Sequence, residues 1–147
     1  MSVGIQMQWK VNDSWIQYFE AKALGLMNMS VFTYAGTVRQ MMQNGEPSGR
    51  IYYSRKTHRF YQASAPGEPP AIDSGTLVNS VQGSVSSWKD GVVGIASQEA
   101  AQYAMALEFG TTRAGRNNNV TILPRPYFRP ALPLASRTVR QQMQGKL

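Results

Sequence analysis

Prolines decide where this chain can be regular. In "ASAPGEPPAIDSG", residues 63–75, Pro66, Pro69 and Pro70 fix φ near about −65° and remove three amide donors. Neither a helix nor an inner strand runs through such a passage, so an extended, polyproline-like segment is expected. In "TILPRPYFRPAL", Thr121 to Leu132, Pro124 and Pro126 stiffen a second passage. Pro130 suits the first turn of a helix, where a missing N–H costs nothing. Pro133 follows about one turn later, which leaves that helix's start open by a turn.

Ahead of the first proline passage, Ser14 and Gln17 have capping-box spacing and open a helix. Ile16, Phe19, Ala23, Leu26, Tyr34, Val38 and Met41 follow near helical spacing, and Asn44-Gly45 provides a stop. Gly25 and Gly36 weaken the middle, so one bent helix and two shorter pieces both fit. Met27, Met29, Met41 and Met42 supply an adaptable packing face. Residues 1–12 alternate through Val3, Ile5, Met7, Trp9 and Val11, as an edge strand or an arm laid on a neighbour would.

Between and after the prolines, several short elements are expected. Ile51–Ser54 and Arg59–Gln62 read as a hairpin around a basic turn. Asp73-Ser74-Gly75 can cap a short helix over Thr76 to Ser80. Val81, Ser84 to Trp88 and Val92 to Ile95 form a second hairpin through Asp90-Gly91. Ser97 caps a helix from Gln98 to Phe109, with Ala100, Tyr103, Ala104 and Leu107 on one face and Gly110 as its stop. Residues 111–120, containing "TTRAGRNNN", read as an exposed mobile loop, and Val120 to Leu123 as a short strand. Phe128, Leu132, Ala135, Val139 and Met143 then mark a final helix. The expected class is α+β: a small, mostly antiparallel sheet packed with a long N-terminal helix, a middle helix and a C-terminal helix.

At 147 residues the chain is expected to form one domain spanning residues 1–147. It has no cysteine, which removes disulfides, thiolate catalysis and Cys-ligated metals. "MSVGIQMQWK" lacks the basic start and apolar run of a signal peptide, and no apolar stretch is long enough to span a membrane. A cytoplasmic protein is expected. The net charge of +7 is unevenly spread. Arg50, Arg55, Lys56 and Arg59 stand without a nearby acid. Arg113, Arg116, Arg125, Arg129, Arg137, Arg140 and Lys146 follow the last acid, Glu108. Such asymmetry points to a polyanion or an acidic protein surface.

Catalytic chemistry finds little support. His58, the single histidine, sits between Thr57 and Arg59 in a basic turn, without the framing of a Ser-His-Asp triad around it and Asp73. The eight carboxylates show no pairing suited to a metal or to acid–base work. "GTTRAGRN" lacks the Gly-Lys-Ser/Thr of a phosphate loop. No enzyme, cofactor or metal is expected. The stretch "RIYYSRKTHRFY" interleaves aromatic and basic residues, as a single-stranded nucleic-acid platform would. The plainer alternative buries one Tyr of each pair against the core and leaves the basic residues wet.

Three segments together resemble a known family. "ASAPGEPPAIDSGTLVNSV" has a proline-rich lead into Asp-Ser/Thr-Gly-x-Leu-x-x-Ser-hydrophobic, "YAMALEFGT" matches Tyr-Ala-x-x-hydrophobic-Glu-Phe-Gly-Thr, and "RPYFRPAL" matches an Arg-Pro-x-Phe-x-Arg-Pro-Ala-Leu-like run. In order and spacing, residues 63–132 resemble the neck or tail-completion proteins (minor tail or head-tail connector components) of long non-contractile-tailed bacteriophages, similar in role to lambda tail protein Z. The loop in "GTTRAGRNNNVTILP" is longer than in the tightest family examples.

The resemblance implies a structural virion protein at the head–tail junction, assembled in the host cytoplasm. It implies a homo-oligomeric, six-fold ring around the DNA channel, with neck, tail-terminator or head-completion proteins as neighbours and genomic DNA met without sequence reading. Glu108, Phe109, Arg113, Arg116, Arg125, Tyr127 and Arg129 are then the expected interface residues, and Arg50, Arg55, Lys56 and Arg59 the DNA-facing ones. A carboxylate at a helix C-terminus is unfavourable by roughly 0.3–1 kcal/mol. An ion pair from Glu108 to Arg125 or Arg129 is expected to compensate.

Overall fold

A computed structural model describes residues 13–145; the alternating segment 1–12 lies outside them. The fold is α+β. In chain order it comprises α1 (Asp13–Gln43), β1 (Ile51–Ser54), β2 (Arg59–Gln62), α2 (Thr76–Ser80), β3 (Val81–Val85), β4 (Gly91–Ile95), α3 (Gln98–Phe109), β5 (Thr111–Ala114), β6 (Val120–Ile122) and α4 (Phe128–Gln144). The strands form three separate two-stranded antiparallel sheets, β1–β2, β3–β4 and β5–β6.

α1 is one continuous helix of 31 residues. Its two glycines cost roughly 1 kcal/mol each relative to alanine, which the packing of the C-terminal half offsets. Asp13 already belongs to the helix, so Ser14 lies in its first turn. The helix ends at Gln43, ahead of Asn44-Gly45 as expected. Its buried face is Val31, Ala35, Val38 and Met42. Of the seven-residue stripe expected from spacing, only Val38 is buried, while Ile16, Phe19 and Leu26 remain exposed. The protein body begins near Met27, whose side chain reaches β4 at Gly91, and the helix before it runs past the body.

The β3–β4 hairpin crosses α1 at two glycines. A Cβ at Gly83 would fall 2.6 Å from one Val31 methyl, and a Cβ at Gly91 2.5 Å from the other. The register pairs Gly83 with Val93 and Val85 with Gly91, so both glycines are held over Val31 by their partner strands. Arg39 straps the same contact, donating from Nε to the Val81 carbonyl at 3.0 Å. α4 packs along the other side of α1, where the Tyr34 hydroxyl donates to the Phe128 carbonyl at 3.0 Å. One buried cluster joins the helices and β3 through Val38, Leu77, Val78, Val81, Ala100, Tyr127 and Ala131.

Three local expectations are revised. α4 starts at Phe128, two residues before Pro130, and Pro133 lies inside it. Residues 111–122, expected as a loop and short strand, form a third hairpin, with Thr111 opposite Ile122 and Ala114 opposite Val120. Its turn is made possible by Gly115 at φ 78° and Asn118 at φ 51°, two residues that tolerate left-handed backbone. Asp73 does not cap α2. Gly75 occupies that position without a side-chain cap, and Asp73 turns to the first hairpin.

Candidate functional site

The "LEF" and "RPYFRP" segments meet at one carboxylate. Ser97 starts α3 by accepting the Ala100 amide on Oγ at 3.3 Å, and Gly110 ends it at φ 77°. Glu108 is thereby delivered to the first turn of α4. Its Oε2 accepts the amides of Tyr127 at 2.8 Å and Phe128 at 3.0 Å, and its Oε1 accepts that of Arg129 at 3.0 Å. The next residue, Pro130, has no amide to satisfy. The carboxylate therefore serves the donors that α4's own turns leave unpaired, at the positive end of its dipole.

Glu108 is only 4% exposed. Burial pushes its carboxyl pKa up, but the three amides and the Arg129 guanidinium outweigh that and hold it below the ordinary value. Arg129 is the ion-pair partner, with Nε 3.5 Å from Oε1. The guanidinium also lies 5.3 Å from the Phe109 ring centre. Arg125 is not that partner. It donates from Nε to the Ser64 carbonyl at 3.0 Å and from a terminal nitrogen to the Leu123 carbonyl at 3.3 Å.

The proline-rich segment is locked into the same corner. The Gly67 amide donates to the Pro124 carbonyl at 2.8 Å, and the Arg125 amide to the Leu107 carbonyl at 2.6 Å. Glu68 accepts the Ala65 amide at 2.7 Å, the Ser48 amide at 3.1 Å and the Ser48 hydroxyl. Those donors, the hydroxyl foremost, hold the Glu68 carboxyl below its usual range. All three segments of the family-like pattern thus close on one another.

Two of the residues expected at a partner interface lie inside the protein. Tyr127 is fully buried, with its hydroxyl 3.4 Å from the Ala104 carbonyl and its pKa pushed far up by burial and by the Glu108 charge. Glu108 is the internal cap just described. Arg125 is half-buried and engaged within the chain. Phe109 and Arg129 remain exposed, and Arg113 and Arg116 stand on the exposed third hairpin.

The first hairpin departs from the plainer expectation, which buried one Tyr of each pair. Tyr52, Tyr53 and Phe60 are all at least half exposed, and among the eight strand residues only Ser54 is buried. The register places Tyr53 opposite Phe60 and Tyr52 opposite Tyr61. Because side chains alternate, Ile51, Tyr53 and Phe60 share one face, while Tyr52, Arg59 and Tyr61 share the other. Arg59, the one basic residue of these strands, thus lies beside Tyr52 and Tyr61 and away from Tyr53 and Phe60. Asp73 accepts the Ser54 hydroxyl at 2.8 Å and the Thr57 hydroxyl at 3.1 Å, tying the hairpin to the body.

Of the residues expected to face DNA, Arg50, Arg55 and Arg59 are exposed. Lys56 is paired with Glu99 at 2.7 Å and donates to Thr76 at 3.1 Å. The Lys56–Glu99 pair, Asp73, Tyr61 and Tyr103 border an open cleft of about 430 Å³ between this hairpin, α2 and α3. Asp73 is taken up by Ser54 and Thr57, and His58 lies 3.5 Å from the Tyr53 hydroxyl. Among the described residues no group of three or more His, Asp or Glu side chains could hold a metal ion. Also among them, no helix is long and apolar enough to cross a membrane.

Spacing alone missed the tip of α1. Trp15, Tyr18 and Phe19 are 54–63% exposed and touch mainly one another, with ring centres 6.0–6.4 Å apart. At about 100° per residue, Trp15, Phe19 and Leu26 share a face turned roughly 150° from the buried one. The sequence signal was that angular shift within a single apolar helix.

The fold and these surfaces define an α+β protein with Glu108 and Tyr127 of its motifs turned inward and many apolar side chains outward. No protein-family model, curated protein or solved structure matches the chain.

Proposed function

We propose that this chain is a structural protein of the head–tail junction of a long non-contractile-tailed bacteriophage. In this reading it is one copy of a homo-oligomeric, six-fold ring around the DNA channel, joining or completing the tail. It works without catalysis, through fit to neighbouring neck, tail-terminator or head-completion proteins. DNA passes the ring and is met through charge alone.

One contrast carries the proposal. The polar groups of the three family-like segments are consumed within the chain, at Glu108, Arg125 and Glu68. Among the described residues, meanwhile, twenty-two large apolar side chains stay exposed beside a buried core of twelve, five of them alanines. Part of that surface is contiguous, the Trp15, Tyr18 and Phe19 rings lying 6.0–6.4 Å apart, and a contiguous exposed apolar patch supports a protein completed by its neighbours. The test is a phage carrying a nonsense codon in this gene, examined by electron microscopy. Filled heads lying apart from tails are expected. Joined, infectious particles lacking the protein would end the proposal.

A second reading, single-stranded nucleic-acid binding through the first hairpin, draws on the outward Tyr53 and Phe60 rings. Arg59 shares the other face with Tyr52 and Tyr61, so the Tyr53–Phe60 face itself carries no basic strand residue.

A further inference from the structure

The exposed tip of α1 needs a cover, and a groove on the same protein has matching chemistry. Ser30, Val31 and Tyr34 of α1 form its floor, Gly91 and Val93 of β4 one wall, and Leu132, Ala135 and Val139 of α4 the other. Its volume is about 430 Å³, within the ~300–1,000 Å³ of pockets that take an organic group the size of a few side chains. Leu132, on its lip, is half exposed.

Tip and groove cannot meet within one copy. Both belong to the same continuous helix, and at 1.5 Å per residue Phe19 lies about 18 Å along the axis from Val31. The aromatic face is also turned away from the face on which the body packs. A tip can therefore enter only a groove on another copy. Charge agrees with that pairing in sign: Asp13 and Glu20 outnumber the one cation at the tip, Lys22, whose ammonium lies 5.5 Å from the Tyr18 ring centre, while Arg140 lines the groove in a chain of net charge +7.

We propose that the Trp15–Tyr18–Phe19 tip of one copy docks in the α1/β4/α4 groove of a second copy, linking copies head to tail. Such a contact is heterologous, so repetition gives a ring when the rotation closes and a filament when it does not. It deepens the ring reading, on which it rests only for closure. Each aromatic ring can bury about 150–250 Å², and these three are just over half exposed. They contribute roughly 350 Å² on one side, below the ~800 Å² per partner of a stable complex. One contact is weak, and closing a ring, where every copy uses both surfaces, stabilises the whole.

Disulfide trapping tests this cleanly, because the chain has no cysteine. Purified full-length Phe19→Cys is mixed with Leu132→Cys, or with Ser136→Cys as a second acceptor position, under mild oxidation at high concentration. Thermal melts first confirm that each variant is folded. The expected product is the mixed dimer, at least about fivefold over either variant alone, and a ladder from the double variant Phe19→Cys/Leu132→Cys. Glu20→Arg should reduce trapping, and Arg140→Glu in the acceptor should restore it. Preferential Phe19–Phe19 cross-links, meaning tip against tip, or no cross-link in any mixture, would overturn the proposal. A trapped ladder from a protein absent from phage particles would instead defeat the virion reading alone.

Discussion

The Glu108 carboxylate accepts the backbone amide of Tyr127 at 2.8 Å and continues to the amides of Phe128 and Arg129. A side chain at the end of one helix thereby caps the beginning of another, across nineteen residues of sequence. A carboxylate placed at the unfavourable end of α3 gains the favourable end of α4. Arg129 adds charge at one edge, but the amides do most of the compensating.

Removing that cap should be costly. Glu108→Ala leaves three donors buried or half-buried without an acceptor, at about 2–4 kcal/mol. Glu108→Gln keeps one acceptor oxygen but turns an amide donor toward other donors, at about 1–3 kcal/mol. Urea unfolding checks both, and a loss under about 0.5 kcal/mol for the alanine variant would contradict the cap.

Acid should reveal the same group. Its folded pKa lies below the unfolded carboxyl value of about 4.3. Its contribution is therefore present above that value and is lost as pH falls through the folded pKa. Stability measured from pH 6 down to 3 should fall in the acid limb, and Glu108→Gln should flatten that fall. Glu68 shifts in the same direction, but it is only half-buried and solvent screening makes its share smaller.

Arg125 binds the proline-rich segment to the approach to α4. Arg125→Ala should lose about 1.5–3 kcal/mol, the range for hydrogen bonds from a charged donor. It should also release residues 63–70 to proteolysis and hydrogen exchange before the rest of the fold. Arg125→Lys cannot reproduce the two-carbonyl bridge and should rescue it only in part.

Packing of α1 on β3–β4 depends on absent methyl groups. Gly83→Ala and Gly91→Ala drive a Cβ into Val31 and should each cost about 1–3 kcal/mol. Val31→Ala should recover part of that loss in the double variants. Gly94→Ala, with nothing within 4 Å, should be close to neutral. Melting temperatures of the set provide the readout.

The two functional readings separate on DNA. If charge alone meets the nucleic acid, Arg50→Glu with Arg55→Glu should weaken binding and lower the log–log salt slope by about 0.9 per phosphate contact removed. Tyr53→Ala with Phe60→Ala should leave that binding and the fold unchanged, since both rings are at least half exposed. Loss of single-strand binding in the aromatic pair would favour the hairpin platform instead.

Local signals were legible where their physics is local. The bounds of β1 and β2, the Ser97 cap, the Gly110 stop and the end of α1 before Asn44-Gly45 each depend on a few adjacent residues. The third hairpin was less readable, because "TTRAGRNNN" lacks apolar alternation and only the Gly115 and Asn118 backbone reveals its turn. The full stripe expected along α1 held only where a body lies beside it, since periodicity reports an apolar face and not what covers it.

By itself the sequence determined the α+β class, most element boundaries, the stiffness of the two proline passages and the uneven positive charge. These follow from backbone restriction, side-chain period and composition, which act within a turn or two. Only the tertiary structure decided that Glu108 and Tyr127 turn inward, that Arg125 grips Ser64, and that the first half of α1 stands clear. Each is a meeting of distant residues or the want of one, and it depends on how whole elements pack in space.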